Sequence, residues 1–267
     1  MKPNRRAFFC LAAGLPLPAQ LRPQQGRQLA MKALAALGGD AFRRMHHRTE
    51  SGRAYSFYNE QITGLARATF TSYYAPPPNP VPAGYVCLHE RQALGKKQDV
   101  IYIFTPEAAH EITYRGIRLQ TEANHERWKE SLLHNILYIL HSRLDEPGLT
   151  FDEKGSDIYQ NQPVVRLEVA DAAGREVIVL LDAHTYLPVR QAWVRRDPAS
   201  RLPIEEVTLF AKYREIGGGI QWPYVIRRER NGERIFEMFS DQVQANPGVD
   251  QSLFSLPKNL PILPPAK

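Results

Sequence analysis

The stretch Val164-Val165-Arg166-Leu167-Glu168-Val169 alternates apolar and charged side chains. Period two is the spacing of a strand with one dry face and one wet face. Segments on either side read the same way: about Thr150 to Tyr159, Glu176 to Leu181, Val189 to Arg195, Glu205 to Tyr213, Gln221 to Arg228 and Arg234 to Val243. Within one of them Val207, Leu209, Ala211 and Tyr213 alternate with Glu206, Thr208 and Lys212, and Phe210 is the exception. Turn residues fill the short links, as in Asp171-Ala172-Ala173-Gly174, Gly217-Gly218-Gly219 and Asn231-Gly232. Closely spaced strands with short links predict an antiparallel meander. Strands and helices do not alternate, which argues against a doubly wound parallel sheet.

Upstream, Tyr55, Phe57, Ala66, Ala68, Phe70, Ser72 and Tyr74 fall at period two, and strand-like pieces follow at Val86 to Gln92, Val100 to Phe104 and Glu111 to Tyr114. Ala75 to Pro82 holds five prolines in eight positions and is a loop. Two segments read as helices. From Gln25 to about Arg44 good helix formers carry an apolar stripe of Leu29, Met31, Leu34, Leu37, Phe42 and Met45, interrupted by Gly38-Gly39. From 122 to 144, after the capping residue Thr121, the residues Trp128, Leu132, Leu133, Ile136, Leu137, Leu140 and Leu144 form one continuous face. Two helices are too few to cover so many dry strand faces unless the sheet curls around them. The expected fold is therefore mainly β: a half-closed antiparallel β-barrel with helices packed against its concave face as a lid.

The 267 residues, 43% of them apolar, suit a globular chain with a proper core. No apolar run reaches the roughly 18 residues of a membrane-spanning helix. The formal charge is +6, and half of it, Lys2, Arg5 and Arg6, lies within residues 1–19, which contain no acid. Those bases, the apolar Ala7 to Leu15 and then Pro16-Leu17-Pro18-Ala19 read as an export signal ending before Gln20. Arg5-Arg6-Ala7-Phe8-Phe9 resembles the twin-arginine motif, but paired arginines also occur in general secretory signals, so both routes stay open. Ala7-Phe8-Phe9 ahead of Cys10 departs from a lipobox, and signal removal leaves Cys87 without an intramolecular disulfide partner. The expected organisation is an export signal at 1–19, one domain at 20–258 and a Pro-rich tail at 259–267, lying on the surface or trailing into solvent.

The sequence holds no nucleophile elbow, phosphate loop, dinucleotide glycine fingerprint, zinc-protease motif or paired Cys motif. His134 and His141 are seven residues apart, roughly 10 Å along a helix, too far to share a metal. Asp182, His184 and Ser255 have triad composition, but Asp182 to Thr185 reads as a turn. No catalytic residue, metal site or cofactor is expected. The chain beyond the signal has 31 basic and 28 acidic side chains, too small an excess for nucleic acid.

Three stretches resemble the LolA/LolB-like superfamily of periplasmic lipoprotein carriers, and within it the outer-membrane lipoprotein-sorting proteins. They are Leu181-Asp182-Ala183-His184-Thr185-Tyr186-Leu187-Pro188-Val189-Arg190, then Tyr213-Arg214-Glu215-Ile216 with Gly219-Ile220-Gln221-Trp222-Pro223, and Val249-Asp250-Gln251-Ser252-Leu253-Phe254-Ser255-Leu256-Pro257. The resemblance covers roughly residues 30 to 258, and Ala183 and Tyr186 depart from the Pro and Gly common in that turn. It implies an unclosed barrel with a helical lid over a cavity for acyl chains, and it supplies no catalytic residues. The expected function is a periplasmic, monomeric lipid- or lipoprotein-binding carrier with transient contact at a membrane surface. A small-molecule enzyme on the same fold and an envelope sensor or protein-binding domain remain alternatives. Trp128, Leu132, Ile136 and Leu140 are the expected lid face, and Val165, Leu167, Leu181, Trp222 and Ile226 the expected lining.

Overall fold

A computed structural model describes residues 21–76 and 78–266. The export signal read at residues 1–19 lies outside the described residues. The chain opens with α1 (Leu21–Leu37), ended by Gly38 and Gly39 at φ 118° and 58°, and a short α2 (Asp40–Arg43). Positive φ at two successive glycines stops the helix without the steric cost a side chain would carry. Leu29, Ala30, Ala33, Leu34 and Leu37 are the buried face of α1; Met31, expected in that stripe, is exposed. Gly26 lets this helix lie close on a strand, because a Cβ there would overlap the Phe151 carbonyl.

Six strands follow: β1 (His47–Tyr58), β2 (Gln61–Tyr74), β3 (Leu88–Leu94), β4 (Val100–Phe104), β5 (Ala109–Thr113) and β6 (Gly116–Leu119). A helical segment intervenes. Seven more strands complete the sheet: β7 (Thr150–Tyr159), β8 (Gln162–Ala170), β9 (Glu176–Asp182), β10 (Pro188–Arg196), β11 (Pro203–Glu215), β12 (Gln221–Arg230) and β13 (Glu233–Ala245). Among the described residues these thirteen strands form one sheet, in the order β6-β5-β4-β3-β2-β1-β13-β12-β11-β10-β9-β8-β7. Every neighbouring pair is antiparallel, so the chain makes two meanders joined where β1 pairs with β13. The end strands β6 and β7 are not paired with each other, which leaves the barrel unclosed. The mainly β, half-closed architecture expected from the alternating pattern is the one observed. Asn231 and Gly232, at φ 48° and 82°, make the left-handed two-residue turn expected between β12 and β13.

The segment between β6 and β7 departs from expectation. It is not one continuous helix but α3 (Glu122–Leu133), a break at His134 and Asn135, a single turn α4 (Ile136–Tyr138), and a π-helical turn over Ile139–Arg143. Asn135 explains the break. Its side chain accepts a hydrogen bond from Leu137 N at 2.9 Å, restarting the helix with a new cap. The buried Gln191 of β10 accepts from Ile136 N at 2.9 Å, so the sheet itself satisfies the freed backbone donor.

The Pro-rich tail takes the surface course, one of the two expected. Ile117 N donates to Pro261 O, Leu263 N to Ile117 O and Ala266 N to Leu119 O, so the tail pairs along β6, and Ile117 bridges Ile262 in parallel. This covers one open edge of the sheet. Strand β6 itself, four residues long, was absent from the sequence reading.

The main core lies between the concave sheet face and the helices. It joins the buried face of α1, Phe42 and Met45 to Ile136–Leu140 and Leu144, and to Phe151, Leu167, Val169, Val177, Val179 and Leu181 of the sheet. Two polar features are built into it. Arg143 is 1% exposed; its Nε donates to Glu146 at 2.6 Å, its Nη2 to Asp171 at 2.6 Å, and its Nη1 to the Leu133 carbonyl at the end of α3. His141 donates from Nε2 to the Met45 carbonyl at 2.9 Å, accepts from Ser142 at Nδ1, and lies 4.0 Å, ring to ring, from Tyr74.

Both features yield predictions. Arg143→Met leaves buried Glu146 without a charged partner and Asp171 with Arg175 alone, so it should cost about 3–5 kcal/mol in urea denaturation; a loss under about 1 kcal/mol would show the cluster is not structural. Burial depresses the His141 pKa to about 4, well below the ordinary imidazole value. Between those values the unfolded chain takes up a proton that the folded chain refuses, so stability falls as pH drops from about 6.5 toward 4. Between pH 7.5 and pH 5.5 this one group should remove about 1.4 kcal/mol. His141→Gln should lose correspondingly less over the same interval, and equal losses in both proteins would contradict the assignment.

Candidate functional site

Alternate residues of the curled strands point toward α3, and between them lies a cavity of about 490 Å³. That volume is within the range of small-molecule pockets. Strands β1 to β4 contribute Arg48, Glu50, Phe70, Tyr74, Leu88, Glu90, Gln92, Tyr102 and Phe104 at period-two spacing. From β10 to β13 come Trp193, Arg195, Glu206, Thr208, Phe210, Trp222, Ile226, Arg228, Arg230, Phe236 and Met238.

One face of α3 crosses the cavity with Asn124, Arg127, Trp128, Ser131 and Leu132, flanked by Gln120 and Asn135. Spacings of three and four residues put these side chains on one side of the helix. The helix is fixed at both ends. Thr121 caps its first turn, accepting from Asn124 N at 3.2 Å, and His125 Nε2 lies 2.8 Å from the Thr105 carbonyl beside β4. At the far end the Arg143 guanidinium holds the Leu133 carbonyl, and His134 stacks on Trp193 with centroids 4.0 Å apart. Burial holds the His134 imidazole below its ordinary range, favouring the neutral ring that donates to the Glu130 carbonyl at 2.7 Å. Trp128 stacks on Phe104 at 5.3 Å, bringing the helix onto β4.

The lining is mixed rather than uniformly apolar: five arginines and three glutamates line the space with the aromatic and aliphatic groups. Each carboxylate has partners. Glu50 sits 3.8 Å from Arg48 Nε and accepts from the Ser240 hydroxyl; Glu90 accepts from the Gln92 amide; Glu206 accepts from both Arg195 and Arg230, at 3.0 and 2.9 Å. The Arg48 guanidinium carbon lies 3.9 Å from the centroid of the Trp222 ring, a close cation–π contact beside a buried ion pair.

Of the expected lid and lining residues, Trp128, Leu132, Trp222 and Ile226 line the cavity. Ile136, Leu140, Leu167 and Leu181 are fully buried in the core beside α1, Val165 packs against that core, and none of the five is in the lining. An apolar side chain marks burial, and core and cavity look alike at that level. The sequence reading missed the polar half of the site. Alternation assigns Glu206 and Thr208 to the wet face, yet they share the cavity face with Phe210, whose break in the alternation is the available signal.

Other chemistry is accounted for locally. The Asp182 carboxylate accepts from His184 N, Thr185 N and the Thr185 hydroxyl, all within its own turn. Partial burial opposes its charge, yet those bonds keep its carboxyl below the usual range. Cys87 is free and buried, its backbone N–H bonded to the Tyr138 hydroxyl at 2.8 Å. Among the described residues no group of three or more His, Cys, Asp or Glu is placed to hold a metal ion. No described helix is long and apolar enough to cross a membrane.

No protein-family model matches the sequence, and no curated protein matches it. Solved structures do. A "putative outer membrane lipoprotein-sorting protein domain" from Vibrio parahaemolyticus superposes with a TM-score of 0.54 at 12% identity, over 87% of this chain and 97% of that one. A DUF1329 family protein from Desulfovibrio piger gives 0.57 at 11% identity, with the same two coverages. The fold is thus shared with both of these structures over 87% of the chain, as the three turn-plus-strand stretches implied.

Proposed function

We propose that this protein is an exported, periplasmic carrier that shelters an acyl chain of a lipid or lipoprotein between the concave sheet and α3. The observation that carries the proposal is the cavity itself, with Phe70, Phe210, Ile226 and Met238 on the sheet facing Trp128 and Leu132 on a helix tied down at its ends. Burying roughly eight methylenes contributes about 6 kcal/mol gross. Holding the cargo under a helix rather than inside the main core lets the core stay folded when the cargo leaves. Relaxation of the lining side chains into the emptied space recovers some apolar contact and lowers the net affinity, which suits transfer to an acceptor.

The mixed lining favours one rival, an enzyme acting on a small amphipathic molecule. Its three carboxylates are already engaged by arginines, a serine or an amide, which leaves none poised as a general base and favours binding over chemistry.

Trp128→Glu tests the site at a half-buried position on the margin of the core. It should weaken binding of the neutral fluorophore N-phenylnaphthylamine at least tenfold, because a charge then sits in an apolar contact. The β-type circular dichroism should be retained. Unchanged fluorophore affinity would remove α3 from the site, and native mass spectra of protein from its own periplasm showing no acyl-bearing adduct would contradict the carrier reading.

A further inference from the structure

The charges around the cavity are not spread evenly, and their order along the strands gives the cavity a direction. In the β11–β12 ladder Glu206 pairs with Arg230, Thr208 with Arg228 and Phe210 with Ile226. Next to them Ile226 faces Met238, and Arg228 faces Phe236, on β13. On the other side Trp193, two residues before Arg195, is opposite Glu206. Read along β12, the cavity face runs from Arg230 and Arg228 through Ile226 to Trp222. From Arg228 to Trp222 is roughly 20 Å at the rise of an extended strand. One end is closed: Trp222 is buried, and the neighbouring Arg48 is balanced by Glu50. The middle is apolar.

The other end carries unbalanced positive charge. Arg195 and Arg230 both donate to the same oxygen of Glu206, so two cations share one carboxylate. Arg228 is exposed and has no carboxylate partner among the described residues; its guanidinium lies over the Phe236 ring at 5.7 Å. These arginines occupy the concave face, the face that β8 and β9 fill with Leu167, Val179 and Leu181. A cargo consisting only of hydrocarbon gains nothing from guanidinium groups there, whereas an anionic head beside an apolar tail satisfies both halves of the cavity.

We infer that the cargo is an anionic amphiphile, with a phosphate or carboxylate head held at Arg195, Arg228 and Arg230 and its tail laid along Phe210, Ile226 and Met238 toward Trp222. The inference rests on the carrier reading and narrows it to a class of ligand and an orientation.

The test is displacement of N-phenylnaphthylamine from the full chain by decyl phosphate, decanoate, decanol and decyltrimethylammonium, which share a tail and differ in head. At low ionic strength decyl phosphate or decanoate should displace the probe at about tenfold lower concentration than decanol, with the cation weakest. The stronger of the two anions identifies the head group. Raising the salt to about 0.5 M should shrink the advantage, because the rim is solvent-exposed. Arg228→Gln with Arg230→Gln should bring the anion-to-decanol ratio to within about threefold. Equal displacement by decanol and both anions, or an undiminished ratio in the double variant, overturns the inference while leaving the carrier reading standing. Failure of the probe and all four compounds to bind overturns both.

Discussion

Arg143 is the point on which the arrangement of helix, sheet and cavity depends. A guanidinium at 1% exposure carries a large desolvation cost, and it persists only because every side of it is engaged. It reaches Glu146, Asp171 in the β8–β9 turn and the last carbonyl of α3. Glu146 in turn accepts from Gly84 N at 2.7 Å, and Arg175 bonds Asp171 at 2.8 Å. One cluster thus fastens the end of α3, the Pro-rich connection and the far half of the sheet. Charged bonds of this kind are directional in a way that apolar packing is not, so they fix where α3 crosses the concave face.

That anchoring lets the concave side serve two purposes. On the β7–β9 side α1 packs directly onto the sheet, and the contact is dry. Toward β1–β4 and β10–β13 α3 stands off, supported by His134 on Trp193 and Trp128 on Phe104, and the cavity lies between. The break at Asn135 separates the two regimes, since the chain leaves α3 over the cavity and enters the core at Ile136. A continuous helix would have carried the same apolar face straight across and had no reason to stop where the sheet offers Gln191.

Much of the sheet was legible because strands β7 to β13 keep period two or carry turn residues between them, and β4 is wholly apolar. The break at Asn135 was harder to see, since the apolar stripe runs through it without a gap; only a capping residue inside the stripe betrayed it. Composition allowed the tail a surface course and hid its pairing. Pro261, Pro264 and Pro265 have no N–H to donate, yet Leu263 and Ala266 supply the donors and Pro261 only accepts, so a Pro-rich strip pairs with an edge. The cavity was half legible. Alternation reports that Glu206 and Thr208 meet something polar, and it does not separate bulk water from a wet, ligand-sized space inside the curl.

The proposed carrier role requires that ligand occupy the space between α3 and the concave sheet. The sequence has three tryptophans, and Trp128, Trp193 and Trp222 all line that space, from the helix, β10 and β12 respectively. Their indole N–H signals in a proton–nitrogen correlation spectrum therefore report the whole cavity. On titration with decyl phosphate all three should shift and saturate together, at the same ligand concentration. Three signals that stay fixed through the titration would contradict the claim.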